Sequence, residues 1–182
     1  MSLLLEYLPE PADWAGAEMP TVLAERVAAV HTASLWLPGE AAEALAGSSL
    51  ASLSGAPAPV WITNPSVYGE VLAAHLDAYG PESVPRGHLD LKPDHLRRRP
   101  GGEVVLLDVE SVRPDMTGLI DVVTLPAVLR QACHELSPDR VLNLYLPATA
   151  ALGARWTAPT LNAALRAYAT ATGLESLHGL DR

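Results

Sequence analysis

Apolar residues recur at helical spacing along much of the chain, and they predict a mainly helical protein. Two helices are predicted in the first half, one over Thr21–Leu35 with Thr21 as its cap, and a clearer one over Pro65–Tyr79 with proline in the first turn. The alanine-rich segment Glu40–Leu53 is also helical in character. Three more helices follow in the second half: Val122–Leu136, Arg140–Ala154 and Pro159–Thr172.

Two prolines lie inside the apolar stretches of the second half. Pro126 and Pro147 each remove a backbone donor from a predicted helix. We therefore expect these two helices to be kinked or shortened.

Extended segments are few. Ser2–Leu8 reads as a strand that ends in a turn. Two short extended runs, Leu96–Arg99 and Glu103–Leu107, are joined by Pro100-Gly101-Gly102. Proline and glycine favour a turn, so this segment predicts a β-hairpin. The fold class predicted from the pattern is therefore mainly α, of the α+β kind, with one or two small β-elements.

The hairpin has a consequence for the side chains at its open end. Because paired strands lie about 4.8 Å apart, His95 before the first strand and Asp108 after the second should be neighbours. Asp90 should lie in the same place, and its flanking residues Leu89 and Leu91 predict apolar surroundings for its carboxylate. Two carboxylates and an imidazole could bind a divalent cation and steer a proton.

Composition limits the class of protein. The chain has 182 residues, 49% of them hydrophobic and 18% charged, which indicates one globular domain. A net charge of -9 argues against nucleic acid as the main partner.

Cys133 is the only cysteine, which excludes an internal disulfide and cysteine-based zinc sites and fits a reducing compartment. The start MSLLLEYLPE does not resemble a signal peptide, and the longest mostly apolar run, Val141–Ala154, is too short to cross a bilayer. We therefore expect a cytoplasmic protein that binds no membrane.

The segment 86–110 carries a motif. Residues 88–95 read H-L-D-L-K-P-D-H and resemble the catalytic loop H-R-D-L-x-x-x-N of protein-kinase-like enzymes, with Asp108-Val109-Glu110 at the place of D-F-G. The pattern is most similar to that of aminoglycoside and choline phosphotransferases, in which the loop begins His-Gly-Asp and the metal loop often reads Ile-Asp-Phe-Glu. This resemblance implies a protein-kinase-like large helical lobe, with catalytic and metal loops in 86–110 and a helical subdomain in 121–172.

The resemblance implies roles for individual residues. Asp90 would accept or orient the proton of the acceptor hydroxyl, and Lys92, the only lysine of the chain, would contact the transferred phosphate. Asp108 would be the principal Mg²⁺ ligand. His95 stands where the family has a metal-binding asparagine, and an imidazole suits Mn²⁺ or zinc better than Mg²⁺. His88 would be a structural hydrogen-bonding residue.

Three other residues match the family in part. His31, in a Val-His pair on the first predicted helix, is expected to be a packed core histidine. Asp121 would lie in the first turn of a helix, where the helix dipole favours a carboxylate, and it would brace the loop. Asp115 lies in the same segment, whose spacing is longer than in the family.

Residues 1–10 resemble the hinge of kinase-like folds. In L-L-E-Y-L the backbone around Glu6 and Leu8 would bind the adenine of ATP. The resemblance begins at this hinge, and the chain contains no G-x-G-x-x-G to cover the phosphates. A small N-terminal lobe would therefore have to come from a separate chain or segment.

Three functions follow from these observations. The first is transfer of the γ-phosphate of ATP to a hydroxyl of a small molecule, with Mg²⁺ or Mn²⁺ as the cofactor. The second is a non-catalytic, kinase-derived (pseudokinase) binding or scaffold domain. The third is a metal-dependent hydrolase that uses His88, Asp90, His95 and Asp108.

Overall fold

The structure is a computed structural model that describes residues 8, 10–33, 35–36, 64–80, 84–88, 90–107, 117–132 and 134–173. Within these residues the protein is a mainly helical α+β fold with five α-helices and a small three-stranded antiparallel sheet. The elements, in chain order, are β1 (Glu10–Pro11), α1 (Met19–Ala33), β2 (Leu35–Trp36), α2 (Pro65–Tyr79), β3 (Val84–Pro85), a 3-10 turn (Pro93–His95), β4 (Leu96–Arg98), β5 (Val104–Leu106), α3 (Leu119–Gln131), α4 (Pro138–Ala151) and α5 (Ala158–Thr172).

Helix α2 has the predicted bounds. Asn64 caps it by accepting a hydrogen bond from the amide of Val67 at 3.4 Å, and Pro65 occupies the first turn. Gly80 ends it with a φ of 115°, which a residue with a side chain rarely adopts. The local sequence signals at the two ends are therefore sufficient to predict where this helix begins and ends.

Helix α1 begins earlier than predicted, at Met19 rather than Thr21. Pro20 lies in its first turn, where the missing N–H costs nothing because that amide has no partner inside a helix. Thr21 is therefore inside the helix and is not its cap. The helix ends at Ala33, and Leu35 lies in β2, which pairs with β3.

The three C-terminal helices are confirmed, with shifted bounds. Helix α3 begins at Leu119, with Asp121 in its first turn as predicted, and it ends at Gln131 rather than at Leu136. Pro126 and Pro147 lie inside α3 and α4, and each helix continues on both sides of its proline.

Helix α5 has a capping box formed by Thr157 and Thr160 at its N-terminus. At its C-terminus it is closed by Gly173, whose φ is 71°.

The predicted hairpin is confirmed. Strands β4 and β5 pair antiparallel with Leu96 opposite Leu106 and Arg98 opposite Val104. The turn between them is closed by a hydrogen bond from the amide of Gly102 to the carbonyl of Arg99 at 2.8 Å, and Gly102 has a φ of 87°. Strand β1 pairs with the other edge of β4, which places β4 in the middle of the sheet.

Two predicted elements fall outside the described residues. Of the strand Ser2–Leu8 the structure describes Leu8 alone, which belongs to no strand. The helix predicted over Glu40–Leu53 lies entirely outside them.

The hydrophobic core lies between two pairs of helices. Helix α1 packs against α4, α2 packs against α5, and α3 contacts both α4 and α5. The largest side chains fully buried there are Tyr68, Tyr145, Tyr168, Met19, Leu23, Leu96, Leu119, Leu125, Leu129 and Leu161. In the part of the chain that the structure describes, no helix is long and apolar enough to cross a membrane.

Candidate functional site

The loop 88–95 joins β3 to β4, and its first residue is held by a buried carboxylate. The amide of His88 donates a hydrogen bond of 2.6 Å to Oδ2 of Asp121, whose side chain is buried in the first turn of α3. A buried carboxylate is stable only where donors surround it, so this contact fixes both the loop backbone and the aspartate. The expectation that Asp121 braces the loop agrees with this geometry.

The same carboxylate oxygen is bound by an imidazole. Nε2 of His31, on α1, lies 3.0 Å from Oδ2 of Asp121, and Nδ1 lies 2.7 Å from the hydroxyl of Tyr145 on α4. That hydroxyl lies 3.2 Å from the hydroxyl of Tyr79 on α2. Burial, followed by the influence of Tyr79, raises the pKa of Tyr145 well above its ordinary value, so the residue remains a neutral phenol. His31 is therefore a buried core histidine, as predicted.

The side chain of His88 connects the loop to the end of β5. Its Nε2 lies 2.7 Å from the carbonyl oxygen of Leu107, and because a carbonyl only accepts, Nε2 carries the proton and donates. Nδ1 is buried, and no hydrogen-bond partner for it occurs among the described residues. His88 is a structural hydrogen-bonding residue, as predicted, and it fixes the residue that precedes Asp108.

Asp90 does not have the apolar surroundings that its leucine neighbours predict. Its side chain is 41% exposed, and Oδ2 accepts a hydrogen bond of 2.6 Å from Nζ of Lys92, which is 43% exposed. Leu91 is buried while Asp90 faces the solvent, because in this loop successive side chains point in different directions. The hydrogen bond from Lys92 lowers the pKa of Asp90 below its ordinary value, so the carboxylate is ionised at neutral pH.

His95 lies beneath Asp90 and is only 7% exposed. Its Nδ1 lies 2.8 Å from the carbonyl oxygen of Asp90 and 3.8 Å from Oδ2 of the same residue. Since the carbonyl only accepts, Nδ1 carries a proton and donates to it. The His88 and His95 rings are 5.9 Å apart.

The hairpin brings the end of β5 to His95, as predicted. The amide of Leu107 donates a hydrogen bond of 2.7 Å to the carbonyl of His95. Asp108 itself lies outside the described residues, so its convergence with Asp90 and His95 stays a prediction. Within the described part of the chain, no group of three or more His, Cys, Asp or Glu side chains could hold a metal ion.

The hinge-like residues are described only in part. Glu6 lies outside the described residues, whereas Leu8 is described and half-buried. Leu8 shortly precedes β1, which pairs with β4, so the hinge-like segment leads directly to the sheet next to the loop. Contact of this segment with adenine stays a prediction.

Two contacts of the site do not follow from the sequence. Tyr145 completes the environment of His31, and the indole Nε1 of Trp14 donates a hydrogen bond of 3.1 Å to the carbonyl of Pro93, within the loop. A buried tyrosine or tryptophan needs a partner for its polar atom. That rule says that Tyr145 must make a hydrogen bond, but it does not say with which residue.

Comparison of the chain with protein-family models, with curated protein sequences and with solved structures gives no match. The resemblance to aminoglycoside and choline phosphotransferases therefore stays a prediction from the loop motif.

Proposed function

We propose that this chain is the large lobe of a phosphotransferase of the aminoglycoside or choline kinase type, and that it takes part in transferring the γ-phosphate of ATP to a hydroxyl of a small molecule. The observation that supports the proposal best is the double attachment of the loop 88–95. Asp121 holds the His88 amide at its start, and the His88 ring and the His95 carbonyl bind Leu107, the residue before Asp108. A loop with a candidate base and a strand end with a candidate metal ligand are thus attached to each other.

Asp90 suits the role of the residue that orients the acceptor hydroxyl. Its carboxylate is ionised, and its exposure allows a hydroxyl to reach it within hydrogen-bond distance. Catalysis of phosphoryl transfer depends mainly on positioning and on charge stabilisation, and an aspartate on a fixed backbone provides the positioning.

Lys92 suits the role of the residue that contacts the transferred phosphate. Nζ of Lys92 lies 2.6 Å from Oδ2 of Asp90. A phosphate bound next to Asp90 would therefore contact the ammonium group of Lys92. Lys92 would then stabilise the charge on the phosphoryl oxygens while Asp90 accepts the proton.

A divalent cation would be held by Asp108 together with His95. Because the carbonyl of Asp90 occupies Nδ1 of His95, Nε2 would be the nitrogen that binds the cation. A carboxylate and an imidazole form a donor set that favours Mn²⁺ over Mg²⁺. The cation would neutralise negative charge on the phosphates of the nucleotide.

The second candidate is a kinase-derived scaffold domain without catalysis. It is favoured by one observation, the absence of a glycine-rich phosphate loop from the 182 residues. A catalytic role therefore requires an N-terminal lobe supplied from outside these residues. The hydrolase is the weakest candidate, because the ring of His88 is fully buried and its Nε2 is used by Leu107.

Titration of the full chain with Mg²⁺·ATP and Mn²⁺·ATP, followed by calorimetry, tests the proposal. We expect metal-dependent nucleotide binding that is stronger with Mn²⁺ and is lost in Asp108→Asn. Asp90→Asn should retain this binding and abolish any transfer of phosphate to an added acceptor. Asp94→Asn, an exposed aspartate of the same loop, is the matched control and should leave both unchanged. Absence of nucleotide binding by the unaltered chain would contradict the proposal and favour the scaffold.

A further inference from the structure

A short segment near the start of the described chain runs along the candidate site. Residues 10–14, here called the strap, pair with β4 through Glu10 opposite Arg98 and Pro11 opposite Arg97. The amide of Ala12 then donates a hydrogen bond of 3.2 Å to the carbonyl of Leu96. Because the strap runs antiparallel to β4, each further residue brings it closer to the loop 88–95.

Trp14, the last residue of the strap, reaches that loop. Its indole Nε1 donates a hydrogen bond of 3.1 Å to the carbonyl of Pro93, which directly follows Lys92. The same carbonyl accepts the amide of Leu96, which closes the 3-10 turn Pro93–His95. Both lone pairs of this carbonyl are therefore used, and its orientation is fixed by two separate segments of the chain.

Trp14 is itself held from the opposite side. Nε2 of His134, in the loop after α3, donates a hydrogen bond of 2.7 Å to the carbonyl of Trp14. Asp13 closes a turn next to it, with Oδ1 accepting the amide of Ala15 at 3.1 Å. The backbone of Trp14 is thus fixed before its indole contacts Pro93.

The pair next to Pro93 needs such support. Lys92 and Asp90 are both more than 40% exposed, and an ion pair of this exposure contributes only about 0–1 kcal/mol. Such a weak contact does not by itself hold a four-carbon side chain in one place. The backbone on which Lys92 is mounted therefore contributes to the position of its ammonium group.

We propose that Trp14 is a positioning residue, which fixes the carbonyl of Pro93 and thereby keeps the ammonium group of Lys92 on the carboxylate of Asp90. The importance of this contact for phosphate transfer rests on the function proposed above. The contact itself does not, so the two can be tested separately.

The sequence provides a direct probe, because Lys92 is the only lysine of the chain. Protein made with ¹⁵N-labelled lysine gives one side-chain ammonium signal in an NMR spectrum, and that signal is sharp only where a hydrogen bond slows exchange with water. In Trp14→Phe the aromatic ring stays and the N–H donor is lost. We expect the Lys92 ammonium signal to be lost to fast exchange in this variant.

Trp156→Phe is the matched control. Trp156 is also largely buried, but its Nε1 has no hydrogen-bond partner among the described residues. Its replacement should leave the Lys92 signal unchanged. A folded Trp14→Phe protein, verified by circular dichroism, with an unaltered Lys92 signal would overturn the proposal.

A second variant gives the test independent support if Trp14→Phe does not fold. His134→Leu removes the donor to the Trp14 carbonyl and leaves the indole in place, so we expect faster exchange of the Lys92 ammonium. Unchanged exchange in this variant would also count against the proposal. If phosphate transfer is detected, Trp14→Phe should lower kcat and leave KM for the nucleotide nearly unchanged. Absence of nucleotide binding by the unaltered chain would refute the proposed function, while the NMR result would still decide the role of Trp14.

Discussion

Asp121 lies 90 positions after His31, yet Oδ2 of Asp121 is only 3.0 Å from Nε2 of His31 in the buried centre of the protein. The same oxygen accepts the amide of His88 at 2.6 Å. One carboxylate thus connects helix α1, helix α3 and the candidate catalytic loop. Replacing Asp121 by asparagine changes the carboxylate to an amide and nearly keeps the shape of the side chain.

We expect Asp121→Asn to lower the free energy of unfolding by about 2–5 kcal/mol, because the buried His88 amide and His31 ring lose their carboxylate partner. Urea unfolding followed by circular dichroism measures this change. Asp77→Asn, at an exposed position of α2 without an ion pair among the described residues, should change the stability by less than about 0.5 kcal/mol. Equal stabilities of the two variants would show that the Asp121 charge does not hold the loop.

Gly118 allows α3 to approach the imidazole of His31. A Cβ atom at this position would lie 2.8 Å from Cγ and Cδ2 of that ring, which is closer than van der Waals contact permits. We expect Gly118→Ala to lower the free energy of unfolding by about 1–3 kcal/mol, because the packed ring has to shift.

The chain offers a matched comparison for this substitution. Gly69 lies in the middle of α2, and a Cβ atom there would meet nothing within 4 Å. Gly69→Ala should raise the free energy of unfolding by about 0.5–1 kcal/mol, since alanine favours the helix over glycine. Opposite signs for the two glycine substitutions are the expected result in denaturant unfolding. A stabilising Gly118→Ala would contradict the close approach.

His75 should make the protein less stable in acid. Its side chain is buried beside the rings of Tyr79 and Trp156. Burial, followed by the charge of His31, lowers the pKa of His75 from 6.5 to about 3. Between these two values the unfolded chain binds a proton that the folded protein does not bind. The free energy of unfolding therefore falls as the pH falls through this range, by at most about 1.4 kcal/mol per pH unit.

We expect His75→Phe to remove this contribution, because phenylalanine has no titrating group. Urea unfolding at pH 7 and at pH 4.5 should show a smaller loss of stability for the variant than for the unaltered protein. At pH 7 the variant should be at least as stable, since neither ring nitrogen of His75 has a hydrogen-bond partner among the described residues. An equal loss of stability in both proteins would exclude His75 as the source.

The elements that could be predicted from the sequence are those with strong local signals. Asn64, Pro65 and Gly80 fix the bounds of α2, and Pro100-Gly101-Gly102 fixes the hairpin. The sequence predicts a start of α1 at Thr21, a residue type that often caps helices, whereas the helix begins at Met19 with Pro20 in its first turn. Competing local signals therefore limit the accuracy of helix ends.

The candidate site was predictable only where its contacts follow from the hairpin. Strand pairing alone predicts that His95 and Leu107 are neighbours. The contacts of Trp14 with Pro93 and of His31 with Tyr145 depend on how distant elements pack, and a single sequence does not give that packing. The sequence does not give the exposure of Asp90, because residues next to each other in the chain can point to opposite sides of the backbone: Leu91 is buried while Asp90 is exposed.

The buried contacts of His31 also set an order of events during synthesis. His31, Tyr79 and Asp121 leave the ribosome before Tyr145, the last member of the hydrogen-bonded chain that connects them to the loop. A nascent chain that ends before α4 contains the complete loop 88–95 but lacks part of its support. The candidate site can therefore reach its final geometry only after α4 has emerged, late in translation.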